Sequence, residues 1–107
     1  MRAYELMLIF TSDTEESDVQ QAINRLTEQT AAAGGTVEKV DKWGVRRFAY
    51  EINHKTDGFY VVVEILAPTI LDEVDRTLRL ADSVIRHKFM RLPLKEAHRR
   101  GLAAATA

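Results

Sequence analysis

Apolar residues recur along this chain with two periods, two residues and about 3.6. The order in which those periods alternate narrows the fold more than any other feature. Over residues 3–10, Tyr4, Leu6, Leu8 and Phe10 fall on one face of an extended segment, with Ala3, Glu5, Met7 and Ile9 on the other. The period then changes. Val19, Ala22, Ile23, Leu26, Thr30 and Ala33 recur at helical spacing, after a stretch whose Asp13, Glu15, Glu16 and Asp18 suit a helix N-terminus. Gly34-Gly35 supplies the stop, since glycine accepts the left-handed conformation that ends helices. Alternation returns over residues 36–52, read as one long strand bent or bulged near Gly44. Residues 53–58 read as a hairpin loop built on the Asp57-Gly58 turn signal. In the strand over residues 59–66, Glu64 sets the orientation: Phe59, Val61, Val63 and Ile65 face inward, leaving Tyr60 and Val62 with Glu64 on the other side. Pro68-Thr69 opens a second helix, with Ile70, Leu71, Val74, Leu78 and Ala81 as its buried stripe. Residues 84–92 form a last strand, stopped by Pro93.

The element order is therefore β-α-β-β-α-β. It specifies an α+β, ferredoxin-like fold: a four-stranded antiparallel sheet with both helices packed on one face. At 107 residues the chain supports one domain, expected over residues 1–93. Residues 94–107 lack a strong periodic apolar face, end in alanines and are expected to form a flexible tail. There is no cysteine, which excludes disulfides, thiolate chemistry and cysteine-held metals. The N-terminal apolar run is broken by Glu5 and lacks a small-residue cleavage site, so no signal peptide is expected. The longest apolar run, residues 59–63, is far short of the ~20 residues of a membrane span. Expected, then, are a cytoplasmic location and no membrane partner.

Catalytic constellations are missing. His54, His87 and His98 stand in a loop, a strand and the tail, away from metal-ligand spacing. His87 alternates with Ile85 and Phe89, which suits the rim of the core. Ser12, Ser17 and Ser83 lack an adjacent base. The acid pairs Glu15-Glu16 and Asp72-Glu73 sit at helix starts, where they complement the dipole. An enzyme with a small-molecule substrate is not expected.

The charge is better described by its distribution than by its net value of −1. Residues 1–38 carry two basic and seven acidic side chains, whereas residues 65–107 carry eight basic and five acidic. Lys39, Lys42, Arg46 and Arg47 cluster along the bent second strand beside Trp43, Phe48 and Tyr50. Arg86 and Lys88 share one side of the last strand, expected to be the helix-free side, and Arg91 continues the run toward Lys95, Arg99 and Arg100. With Arg2, these residues interleave cations with rings, a pattern suited to phosphate contact and base stacking. Solubilising charge and edge-strand protection would produce a similar pattern. A second surface is the apolar set Ala3, Met7, Ile9, Tyr60, Val62 and Met90, which neither helix is left to cover; such a patch marks a protein partner.

Taken together, Met1-Arg2-Ala3-Tyr4-Glu5-Leu6-Met7, the block Asp41 to Ile52 with its Gly44-Val45-Arg46-Arg47-Phe48-Ala49-Tyr50 core, Gly58-Phe59-Tyr60 and Val84-Ile85-Arg86-His87-Lys88-Phe89-Met90 resemble the bacterial small-subunit ribosomal protein S6 family. Glu51 departs from the pattern, standing where the family has proline. The resemblance covers residues 1 to about 92. It implies the βαββαβ fold, no enzymatic activity, no cofactor, and binding to 16S ribosomal RNA in the central domain, or platform, as a pair with ribosomal protein S18. It also implies that Arg2, Arg46, Arg47, Arg86 and Lys88 meet RNA and that Tyr60 and Val62 meet the protein partner. The RNA set read from sequence is thus Arg2, Lys39, Lys42, Arg46, Arg47, Arg86, Lys88 and Arg91; the partner set is Met7, Ile9, Tyr60, Val62 and Met90. A near-neutral protein attracts RNA weakly, so RNA affinity is expected to rise sharply once the partner is bound.

Two rivals share the element order. An RNA-recognition motif needs aromatic residues along its third strand, and Val61 and Glu64 stand at two of those positions. An acyl-phosphate-cleaving or ligand-sensing domain needs an anion-binding loop after the first strand, where residues 11–18 are acidic and glycine-free.

Overall fold

The computed structural model describes residues 1–52, 54–102 and 104–106. Its elements are β1 (Arg2–Phe10), α1 (Glu16–Ala32), β2 (Thr36–Ile52), β3 (Lys55–Ala67), α2 (Asp72–Leu80), β4 (Val84–Arg91) and a short α3 (Leu94–Arg99). The strands form one sheet in the order β2-β3-β1-β4, every neighbouring pair antiparallel. This is the ferredoxin-like arrangement.

Alternation places Tyr4, Leu6, Leu8 and Phe10 of β1 against Val61, Val63 and Ile65 of β3 on one face, where Val19, Ile23 and Leu26 of α1 and Val74 and Leu78 of α2 bury them. The inward set of β3 agrees with the orientation that Glu64 imposes. α1 ends as its glycines require: Gly34 has φ 85°, and the Gly35 amide donates back to the Thr30 carbonyl at 2.9 Å. His87 sits at the core's rim, its Nε2 2.7 Å from Asp75 Oδ1, which ties β4 to α2.

Four expectations are corrected. The hairpin is tighter than a 53–58 loop: Ile52 pairs with Lys55, so Asp57 and Gly58 lie within β3 and His54, at φ 62°, takes the left-handed position. Asn53, the other residue of that connection, lies outside the described residues, as do Ala103 and Ala107. Helix α2 begins at Asp72, so Ile70 is 63% exposed instead of buried. Residues 94–107 contain α3, and Ala97, Leu102 and Ala105 are buried together with Ala3, Leu66 and Leu92. Finally, the helix-free face is covered at one end by that segment, whereas an uncovered face was expected.

Candidate functional site

Register resolves the helix-free face of the sheet into successive rows across the strands. Leu66 and Ala3 make the first, Lys39, Glu64, Glu5 and Met90 the second, Asp41, Val62, Met7 and Lys88 the third, and Gly44, Tyr60, Ile9 and Arg86 the fourth. The chain uses the two ends of this face differently.

Over the third and fourth rows lies a groove of about 300 Å³. Its floor is Met7, Ile9 and Tyr60, one side is Arg86 and Lys88 of β4, and the opposite wall is Arg47, Phe48, Ala49, Tyr50 and Ile52 of β2. The wall exists because β2 carries surplus residues. Between the Arg47–Asp57 and Ile52–Lys55 pairs, β2 advances five residues while β3 advances two, so Phe48 to Glu51 leave the ladder. Earlier irregularities occur between Val37 and Lys39 and between Lys42 and Gly44, the latter at the kink that Gly44 was expected to provide; its φ is 85°. Gly58 lets the wall close down. A Cβ there would lie 2.5 Å from Ile9 Cγ2 and 3.0 Å from both the Phe10 carbonyl oxygen and Phe48 Cζ. Tyr60 stacks with Trp43, centroids 6.2 Å apart and planes 8° from parallel, and meets Phe48 at 60°. Tyr50 is 70% exposed at the rim.

Arg47, Arg86 and Lys88 line this groove and, among the described residues, none makes an ion pair; no carboxylate lines it. Three unpaired cations around an apolar, ring-lined floor suit an anion that carries a flat apolar group.

The remaining expected RNA residues divide. Lys39 and Arg46 make no ion pair among the described residues, and neither lines the groove. Lys42 points to α1 and is already engaged, Nζ donating to Glu16 Oε1 at 3.0 Å and Gln20 Oε1 at 2.8 Å. Arg2 and Arg91 lie on the helix-bearing side of the sheet, where register sets Arg91 opposite Tyr4, and they share a cavity of about 290 Å³ with Tyr4, Ile70, Leu71 and Phe89. The basic residues therefore form two groups, one on each side of the sheet.

The expected protein-partner set is divided as well. Met7 and Tyr60 are partly accessible and Met90 is exposed, but Ile9 is 4% and Val62 8% exposed. Val62 is packed beneath the surface, and Ile9 shows only a sliver of itself in the groove floor.

At the other end of the face, the C-terminal segment sits on the first two rows. Arg100 Nη1 donates to Glu5 Oε1 at 3.2 Å and Glu64 Oε2 at 3.4 Å, and its Nε donates to Glu96 Oε1 at 2.9 Å. Arg99 adds a two-bond contact to Glu96, at 2.9 and 2.6 Å. Hydrogen bonds from Arg99 and then Arg100 hold the Glu96 carboxyl down at about 2, well below the ordinary glutamate range. The terminal ammonium of Met1 donates to Thr106 Oγ1 at 2.7 Å. Sequence reading missed this arrangement, although Glu96 and Arg100 stand at the i, i+4 spacing of a helical ion pair.

Among the described residues no group of three or more His, Asp or Glu is placed to hold a metal ion, and no helix is long and apolar enough to cross a membrane.

Comparison with known proteins supplies the lineage. The family model described as ribosomal protein S6 matches residues 3–91. The small ribosomal subunit protein bS6 of Salinispora tropica is 47% identical over 92 residues, which make up 85% of this chain and 96% of that protein. Its counterpart in Streptomyces coelicolor is 44% identical over the same shares of both chains. Among solved structures, the 30S ribosomal protein S6 of Thermotoga maritima superposes with a TM-score of 0.80 at 27% identity, covering 94% of this chain and 97% of that one.

Proposed function

Because this chain belongs to the ribosomal protein S6 family of the small ribosomal subunit, we propose that it binds 16S ribosomal RNA of the central domain jointly with ribosomal protein S18 during assembly of the 30S particle. One observation carries the reading: Arg47, Arg86 and Lys88, all without an acidic partner among the described residues, surround a groove floored by Met7, Ile9 and Tyr60 and walled by Phe48 and Tyr50. Cations attract the phosphate backbone without regard to sequence, and rings offer stacking to any unpaired base. Arg2 and Arg91 extend the basic surface to the other side of the sheet, Lys39 and Arg46 extend it along β2, and Lys42 is left out because Glu16 and Gln20 hold it. The role is architectural: the chain contributes shape and charge to a ribonucleoprotein, with no reaction and no cofactor.

The chain's net charge of −1 limits what it does alone. Docking S18 on the helix-free face joins two RNA-binding surfaces, and the second contact then forms at high effective concentration. The experiment is a gel-shift titration of a central-domain 16S fragment with this protein, with S18, and with both. The expected result is weak binding by this protein alone and at least ~10²-fold tighter binding by the pair, the range linkage of two modules provides. Equal affinity with and without S18 would reject the mechanism.

A further inference from the structure

One end of the helix-free face is closed by the chain itself, and the closure differs in kind from the core. Ala97, Leu102 and Ala105 bring small apolar surfaces to Ala3, Leu66 and Leu92. Beside them, Glu5 and Glu64 stand directly opposite each other on β1 and β3, with side chains only 16% and 13% exposed. Like charges so placed repel across a strand pair. Arg100 lies between them and is the one cation that pairs with either among the described residues. The hold on this segment is slight. A helix of six residues has almost no stability of its own, and beyond the buried Ala97, Leu102 and Ala105 the ties are the part-buried Arg100 pairs with Glu5 and Glu64 and the exposed Met1–Thr106 contacts. The segment also lies beyond residue 91, where the match to the family model ends.

The two ends of the face differ in what they can accept. The groove end presents Arg47, Arg86 and Lys88 and would repel a basic protein; the covered end presents a carboxylate pair and an apolar floor of Ala3, Leu66 and Leu92, and it attracts one. We infer that residues 94–106 are a displaceable cover, and that the protein partner taking their place brings an arginine or lysine to Glu5 and Glu64 and small apolar side chains to Ala3 and Leu66. This rests on the reading of the helix-free face as a protein-docking surface, and it sets the docking ground for a basic partner at the covered end of that face.

Native-state hydrogen exchange on the full chain, followed by NMR, tests the cover without any partner. The amides of Arg100, Leu102 and Ala105 are each bonded within the segment, and that of Ala97 to the Pro93 carbonyl just before it. They should be at least ~100-fold less protected than those of Leu6, Leu8, Val61 and Val63, through an opening far less sensitive to denaturant than global unfolding. Protection equal to that of the central strands would overturn the inference. A second measurement titrates the S18 of the gel-shift assay against the full-length wild type, Arg100→Ala and Ala97→Glu. Ala97→Glu dislodges the segment without touching the acids beneath. Both variants should bind about tenfold more tightly, because less of the population is closed; Glu5→Gln with Glu64→Gln should abolish the gain. Unchanged or weaker binding by both variants would also overturn it. Should no form bind that protein, the pairing proposed above falls, and exchange alone decides whether the cover opens.

Discussion

At the scale of single residues, Gly58 shows how closely the groove wall is fitted. The space a side chain would need is taken by Ile9, the Phe10 carbonyl and the Phe48 ring. Gly58→Ala should therefore cost roughly 1–3 kcal/mol, the usual penalty for an overfilled site, read as a lowered urea midpoint. An unchanged midpoint would mean that Phe48 does not rest on β3. Glu96 makes a prediction about pH. Its carboxylate keeps its charge in the folded chain down to about pH 2, whereas an ordinary glutamate protonates near 4.5, and the main cause is the hydrogen bonds from Arg99 and then Arg100. A group with a depressed value stabilises the fold above its unfolded value and loses that contribution as pH falls through the folded one. Docking of the C-terminal segment should accordingly be at full strength above about pH 4.5 and weaken between there and about 2. An NMR titration of the Glu96 side-chain carboxyl should show a midpoint near 2 that rises in Arg99→Ala; a midpoint near 4.5 in the wild type would show that these ion pairs do not form in solution.

At the scale of elements, the bond between His87 and Asp75 joins the edge strand β4 to α2 at 2.7 Å. Asp75→Ala should cost about 1 kcal/mol, the typical worth of one such hydrogen bond, seen as a lower melting temperature; an unaltered melt would place the attachment in apolar packing alone. This link also shows what sequence reading can reach. The alternation of Ile85, His87 and Phe89 already set His87 on the rim, because strand parity is a local property. β2 was legible from end to end for the same reason, and so was its kink, since Gly44 is a local signal. The start of α2 was read too early because Pro68-Thr69 looks like a helix opening, yet Ile70 and Leu71 precede the first helical turn. The hairpin was misplaced because Asp57-Gly58 is a stronger turn signal than a histidine at positive φ. Lys42 was assigned to RNA because nothing in β2 itself reveals that α1 brings Glu16 and Gln20 to it. The covering segment was least legible of all: its buried residues are mostly alanines, whose small surfaces leave no periodic trace, and their docking ground on Ala3 and Leu66 is far away in sequence.

At the scale of the whole molecule, cations that make no ion pair among the described residues stand on both sides of the sheet, Arg2 and Arg91 on one and Arg86 and Lys88 on the other. Groups that share no neighbours contribute independently. In the proposed complex with S18 and RNA, Arg2→Ala with Arg91→Ala and Arg86→Ala with Lys88→Ala should each flatten the slope of log affinity against log salt. The change should be roughly 0.9 per lost phosphate contact, and the two pairs should add in the quadruple variant. If either pair leaves the slope unaltered, that side of the sheet does not meet phosphate. A near-neutral chain arranged this way spreads little nonspecific attraction and concentrates it at two surfaces on opposite sides of the sheet.

The surplus in β2 has a consequence for how such a groove changes over time. Arg47–Asp57 and Ile52–Lys55 clamp the ladder on either side of the excursion, while Phe48 to Glu51 hang outside it. Residues gained or lost in that excursion would reshape the wall and leave strand pairing in phase, so a different occupant of the groove could be accommodated by recutting one overhang on an unaltered frame.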